Sequence, residues 1–273
     1  MISLDGPKEL HDANRVFPNG EGSFDKLMNN LLYVKKRSPD FFKRVSFNTV
    51  VAPGNDYSCI SDFFEANDII EDSASLSSAT LSAFNRDEAV KYDEKYYIHY
   101  RIQRTKALLA SLGYIASTEV SRFFLLIVPR LIRTYNELGK IRGLPINAHP
   151  GGPCIPGARR PMVDIDGNIY PCESVSEHTK TMQIGNIFTG FDVDKIRAIL
   201  NIGQITQDEC KSCWNFIHCK MCAAFADDSQ KLSGEKRLSR CEEMSNETLS
   251  NFVTICLLKE NGFVFEEDRY NGL

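Results

Sequence analysis

The stretch "CKSCWNFIHCKMC", Cys210 to Cys222, holds four cysteines spaced C-x2-C-x5-C-x2-C around the chain's single tryptophan, Trp214. Thiols this close together either pair as disulfides or bind metal as thiolates. Three more belong to the same part of the chain. Cys154 and Cys172 bracket "PMVDIDGNIYPC", where Asp166-Gly167 between two β-prone runs signals a hairpin that brings its flanks together. Cys241 follows Cys222 after eighteen residues. The remaining two of the nine cysteines, Cys59 and Cys256, stand singly among apolar helical neighbours and read as small core residues. Two metals suit the seven. A structural zinc takes four cysteines in a closed tetrahedron, and an iron–sulfur cluster takes thiolates at C-x2-C spacing. Seven is one short of two closed all-cysteine zinc sites and three too many for one. Four plus three fits two clusters, because a four-iron cluster can leave one iron open to another ligand. Spacing favours iron–sulfur, with zinc as the alternative. His149 and His218 lie close to cysteines and read as hydrogen-bond partners rather than ligands.

Compartment decides between disulfide and metal. The start, "MISLDGPKEL", has no basic n-region followed by an apolar stretch, so no secretory signal is read. The most apolar run, "FFLLIV" from Phe123 to Val128, is too short to span a bilayer and is flanked by Arg122, Arg130 and Arg133. A cytoplasmic protein is expected, with reduced thiols and therefore metal. A net charge of −4 without a basic block argues against nucleic acid, and nothing points to a membrane. Hydrophobic residues at 42 % supply a real core.

The elements that must position these groups follow from periodicity. Ile2 to Asp5 alternates like a strand before Gly6-Pro7. An amphipathic helix is predicted from Phe24 to Arg37 with Ser23 as N-cap and Pro39 just beyond. "RVSFNTVV", Arg44 to Val51, reads as a second strand, and a helix follows near Ile60 to Ala66. Strand, helix, strand, helix is the order of parallel α/β units. Asn67 to Ala83 carries no legible pattern. Two long helices are predicted, Arg86 to Leu112 and Thr118 to Leu138, the second kinked at Pro129. Gly and Pro cluster from Pro145 to Gly157, where the domain boundary is placed. A short helix near Val193 to Leu200 and a last one, Asn246 to Lys259, complete the reading.

These motifs resemble a known family. Cys154, Gly167 and Cys172, followed by the C-x2-C-x5-C-x2-C and then Cys241, resemble the SPASM signature of radical S-adenosylmethionine (SAM) enzymes. "QIGNIFTG", Gln183 to Gly190, is similar as well, and one interval is two residues where many members have three. "ISLDGPKELHDANRV", "SFDKLMNNLLYV" and "VSFNTVVAPGN" resemble the fourth strand, next helix and fifth strand of the radical SAM partial barrel. The flavour is that of maturases that modify ribosomally made peptides, such as thioether-forming ones. The resemblance covers about residues 1–66 and 145–245 and implies an α/β fold with half of a partial (β/α) barrel over residues 1–67 and a Cys-rich SPASM domain with a β-hairpin over 145–245. The helices between, which it does not cover, read as a helical insert over 68–144, and a C-terminal helix and tail occupy 246–273.

It also implies two auxiliary [4Fe–4S] clusters, one on Cys210, Cys213, Cys219 and Cys241, the other on Cys154, Cys172 and Cys222. Ser3 and Asp5 would meet the SAM ribose. Arg15 would pair with a carboxylate of SAM or of the peptide, and Asn48 would face the same cleft. The family's C-x3-C-x2-C, which binds the SAM-cleaving cluster, is absent from the sequence. The first strand here resembles the family's fourth. The expectation is therefore the C-terminal part of a peptide- or protein-modifying enzyme that does not cleave SAM alone, whether a fragment, a split subunit or a decayed paralogue. Its partners would be a peptide or protein substrate and an N-terminal radical SAM half, or a second copy at the open barrel edge. The rival is a non-catalytic zinc module that recognises a partner.

Overall fold

The computed structural model describes residues 1–71, 73, 75–81, 91–138, 143 and 145–266. Two units divide the chain: Met1–Leu81 with Ala89–Leu138 and Leu258–Leu273, and Ser82–Glu88 with Gly139–Leu257. No helix among the described residues is long and apolar enough to cross a membrane.

The first unit is built on a parallel sheet, β1 (Ile2–Ser3), β2 (Ser46–Val51) and β3 (Ser75–Thr80), in that spatial order. Helices α1 (Lys8–Asp12), α2 (Phe24–Arg37) and α3 (Pro39–Phe42) cross from β1 to β2, and α4 (Tyr57–Glu65) crosses from β2 to β3. Along β2, Phe47, Thr49 and Val51 are buried while Ser46, Asn48 and Val50 are only partly so, the period-two signature of a strand with two unlike faces. Phe47 and Val51 join Leu4, Phe42, Ile60, Phe64 and Ile70 in the core. Registering Ser3 with Asn48 and Asn48 with Ser77 puts a polar row on the opposite face. Thr49 Oγ1 donates to the Leu4 carbonyl at 2.7 Å and so ties β1 to β2 from within.

Beyond the sheet come α5 (Glu94–Ser111) and α6 (Ile127–Leu138). Residues 86–90, where the sequence predicts the start of the first long helix, lie outside the described residues. The second predicted long helix is broken. Thr118 falls in a 3-10 turn, a second such turn spans Arg122–Phe124, and α6 begins only at Ile127. The Ser121 amide donates to Gln103 Oε1 and the Arg122 amide to Glu65 Oε1, so these groups leave the helical ladder. Pro129 therefore lies in the first turn of α6, where its missing N–H costs nothing, and it kinks no helix.

The second unit carries an antiparallel sheet of short strands, β4 (Met162–Val163), β5 (Asn168–Tyr170), β6 (Gly185–Asn186) and β7 (Gly190–Phe191). Helices α7 (Val193–Leu200), α8 (Gln207–Cys210) and α9 (Gly234–Leu238) follow, and α10 (Cys241–Glu260) runs through its end. The core gathers Ile169, Tyr170, Met182, Ile184 and Ile202 with the small Ala223, Ala224 and Ala226. Cys59 and Cys256 are exposed, against the expectation of core positions. Each follows or precedes a buried isoleucine, Ile60 or Ile255, and one residue along a helix is a turn of about 100° away from the buried face.

Candidate functional site

The hairpin of the second unit closes on Asp164. Its Oδ1 accepts the amides of Asp166 at 3.0 Å and Asn168 at 2.8 Å, and its Oδ2 accepts Asn168 Nδ2 at 2.9 Å. These bonds hold the Asp164 carboxyl below the usual carboxylate range, with the Asn168 side chain the largest cause. Gly167 takes φ +79°, a left-handed position where a β-carbon would be strained. The strand leaving this turn delivers Cys172.

The loop that carries Cys154 reaches the Cys210–Cys222 segment by close backbone approach. The Gly151 amide donates to the Phe216 carbonyl at 3.3 Å. A β-carbon at Gly151 would strike the Ile217 carbonyl, and one at Gly152 would strike the Lys220–Met221 peptide. Two glycines just before Cys154 thus let its loop lie flat on the stretch of chain from Phe216 to Met221.

The seven cysteines sort into two groups that interleave in sequence. Cys210, Cys213, Cys219 and Cys241 line one cavity together with Arg237, Asn215 and Met244. Burial pushes the Cys241 thiol up, and the neighbouring thiols of Cys210, Cys219 and Cys213 push it further. Burial likewise raises the Cys222 thiol, with Cys172 and Cys154 as the thiols that add to it. In both groups thiolates would repel one another without a cation between them, which is the chemistry of a thiolate metal centre. Four soft sulfur donors around one cavity fit an iron–sulfur cluster or zinc by ligand type. Among the described residues no three Cys, His, Asp or Glu side chains form a group that could hold a single metal ion as they stand; the thiols line a space instead.

Neither histidine stands as a ligand. The ring nitrogens of His149 meet the carbonyls of Pro150 and Leu200, each at 2.7 Å. His218 packs edge-on against Phe252.

In the first unit Asp5 is buried, and its carboxylate is taken up by the protein itself. Arg15 Nε donates to Oδ2 at 2.5 Å and Nη2 to Oδ1 at 3.2 Å, while the Val50 amide donates to Oδ1 at 2.9 Å. Arg15, read from sequence as the partner of a ligand carboxylate, is thus paired with Asp5. His11, which the sequence did not single out, is central. Its Nδ1 accepts the Asp5 amide at 3.3 Å, which leaves the proton on Nε2, 3.0 Å from Ser23 Oγ. Ser23 Oγ donates in turn to the Arg15 carbonyl at 2.8 Å, so Ser23 serves this network and not the cap of α2. The α2 amide of Phe24 is capped by Asp12 Oδ1 at 2.9 Å. Burial lowers the His11 pKa below its ordinary value and keeps the ring neutral. Ser3, His11, Asn14 and Arg15 line an open cleft of about 550 Å³. Asn48 lies on the polar row of the sheet, in register with Ser3, and accepts from Ser77 Oγ at 3.0 Å; it is not itself among the residues that line that cleft.

A second cavity of the same unit, about 670 Å³, was not legible in the sequence. Tyr57, Tyr92, Tyr96 and Tyr100 line it beside β3. Tyr57 hydrogen-bonds Ser78 Oγ at 2.8 Å, and burial pushes its phenol up to about 12.

No family model matches the chain, and no curated protein does. Solved structures do. Histidine-tagged anSMEcpe with bound AdoMet is 19% identical over 94% of this chain and 68% of that one, with a TM-score of 0.54. Native anSMEcpe with bound AdoMet and Kp18Cys peptide is 19% identical, and the form with Cp18Cys peptide 20%, over the same shares, with TM-scores of 0.55. That protein is a SPASM-domain radical SAM enzyme. At this identity the likeness speaks for a shared fold, and it extends over nearly the whole chain.

Proposed function

We propose that this chain is part of a radical SAM/SPASM enzyme that modifies a ribosomally made peptide or protein, with thioether cross-linking as one reaction of that class. Residues 145–245 would hold two auxiliary [4Fe–4S] clusters. The carrying observation is the sorting of the cysteines: Cys222 keeps company with Cys154 and Cys172, while Cys219, three residues earlier, lines the cavity of Cys210, Cys213 and Cys241. The bound AdoMet and peptides of the structural neighbours support a peptide-modifying role.

The Cys210 group would close a cluster with four thiolates. The group of three would leave one iron position for a substrate thiolate. In the first unit Arg15, fixed by the buried Asp5, sits on the wall of the open cleft, where its remaining N–H groups can meet a carboxylate of SAM. Ser3, exposed at the end of β1, lines the same cleft and offers a hydroxyl to a ribose. Asn48 and Ser77 present a polar wall on the sheet face.

Anaerobic reconstitution of the full chain should load about eight irons and eight sulfides, with a brown colour. Stoichiometric zinc without sulfide in a colourless protein overturns the cluster reading. Reduced, reconstituted chain should give no 5′-deoxyadenosine from SAM, because its 273 residues contain no C-x3-C-x2-C. Adding a radical SAM segment that carries this motif should restore it. Steady deoxyadenosine from the chain alone would mean that one of the two cysteine groups is itself the radical cluster.

A further inference from the structure

Arg237 is 2% exposed and is among the largest fully enclosed side chains of the molecule. It sits on α9, where Lys236 beside it points to solvent. Its Nη1 is buried and has no hydrogen-bond partner, and no carboxylate pairs with the side chain among the described residues. A guanidinium does not shed its proton in a protein. An unpaired charge this far from water is strongly disfavoured unless an anion faces it. The cavity that Arg237 lines has no Asp or Glu in its wall. Its possible anions are the thiols of Cys210, Cys213, Cys219 and Cys241. The amide of Asn215, whose Oδ1 is also buried and partnerless, is neutral and compensates no charge.

We infer that Arg237 is a built-in counter-charge for the metal–thiolate centre of the Cys210 group, placed in the interior to neutralise part of its negative charge and to set how tightly and at what potential it is held. The inference rests on the reading of these cysteines as a metal centre, but not on which metal. Four thiolates around a divalent zinc leave two negative charges, and four around a [4Fe–4S] core at charge 2+ leave the same two. In either case the protein interior receives a dianion, and Arg237 is the buried cation beside it. Beside the thiols of this cavity its positive charge favours thiolate, and hence ligation. In a redox centre the same charge favours the more negative, reduced state.

The test compares Arg237→Met with the wild-type full chain, each loaded and metal-free. Methionine keeps the apolar bulk and removes the charge. Metal-free Arg237→Met should melt no lower than metal-free wild type, because it loses a buried unpaired cation. Loaded Arg237→Met should release its metal to a chelator about tenfold to a hundredfold faster. The deciding quantity is the gain in melting temperature on loading. A smaller gain in Arg237→Met supports the inference, and an equal or larger gain overturns it. Should this variant fail to fold, Arg237→Lys and Arg237→Gln decide by reduction potential of the loaded protein. Glutamine shifting the centre to more negative potential while lysine stays near wild type supports the counter-charge, and three equal potentials overturn it. Failure of the wild type to take up iron and sulfide sinks the cluster reading alone, since the melting comparison runs equally well on a zinc-loaded chain.

Discussion

The two units of this chain are held together by different means. In the first, large apolar side chains lock a parallel sheet to its helices: Phe42, Phe47, Ile60, Phe64 and Ile70 are all essentially sealed from water. Phe64 alone packs against the rings of Phe47, Phe63 and Phe123. In the second, most strands are two residues long, three core positions are alanines, and the segment from Cys210 to Cys222 turns through hydrogen-bonded loops with Met221 and Asn215 as its most buried members. A buried side chain of the first kind contributes about 1.5–3 kcal/mol. Closing a metal–thiolate centre contributes on the order of 10 kcal/mol in small structural sites. On the proposed metal-centre reading, ligation would substitute for packing in the thin core of the second unit, whereas the first is held by its apolar core.

The largest effect is expected where that substitution is removed. With two clusters, as proposed, Cys213→Ala should lose roughly half of the iron. It should lower the stability of the second unit by more than any single core truncation. Trp214, next to Cys213 and the chain's one tryptophan, reports on that unit by fluorescence. The tyrosines lining the β3 cavity report on the first by near-ultraviolet circular dichroism. If both signals collapse together in Cys213→Ala, the two units do not draw on separate sources of stability.

The converse change probes the packed unit. Phe64→Ala empties a position with no exposed surface and should cost about 3–5 kcal/mol. The tyrosine signal should melt early while iron content and the Trp214 signal hold. Iron loss in Phe64→Ala equal to that in Cys213→Ala would erase the distinction.

The same contrast governs what the sequence made legible. Helix α2 runs from Phe24 to Arg37, the bounds its apolar period predicts, because one face of it enters the core at Met28 and Leu31. The hairpin around Asp166-Gly167 was legible from turn chemistry alone. β3 was not: "SLSSAT" has one buried side chain, Leu76, and its other residues meet solvent or the polar row, so no alternation betrays it. Helix α10 begins five residues before the predicted start, at Cys241, because its first turn is chosen for charge, with Glu242 and Glu243 at the positive end of the helix dipole. The cysteine spacing was readable as chemistry, yet it could not say which thiols share a cavity. Nor could it show His11, since a lone histidine on a short helix carries no pattern. Arg237 is hidden in the same way, in a run where Lys236 and Arg240 look equivalent to it.

The smallest expected effect is a pH response confined to the packed unit. Burial lowers the pKa of His11, against the pull of Asp5 and Asp12 and with some help from Arg15. Burial lowers that of His99 too, opposed by Asp56 and Asp62 and aided by Lys106. Both rings ionise near 6.5 when unfolded and lower when folded, so below that value the unfolded chain binds more protons. Stability from keeping these rings neutral is fully present above about pH 6.5 and is lost as pH falls through the folded values. Protonating His11 also turns Nδ1 from an acceptor into a donor opposite the Asp5 amide, so the bond that positions Asp5 for Arg15 goes with it. The tyrosine signal should therefore melt at lower temperature at about pH 5.5 than at about pH 7.5. Replacing both rings, His11→Gln with His99→Gln, should flatten that dependence. An unchanged pH slope in the double variant would place the acid sensitivity of this unit elsewhere.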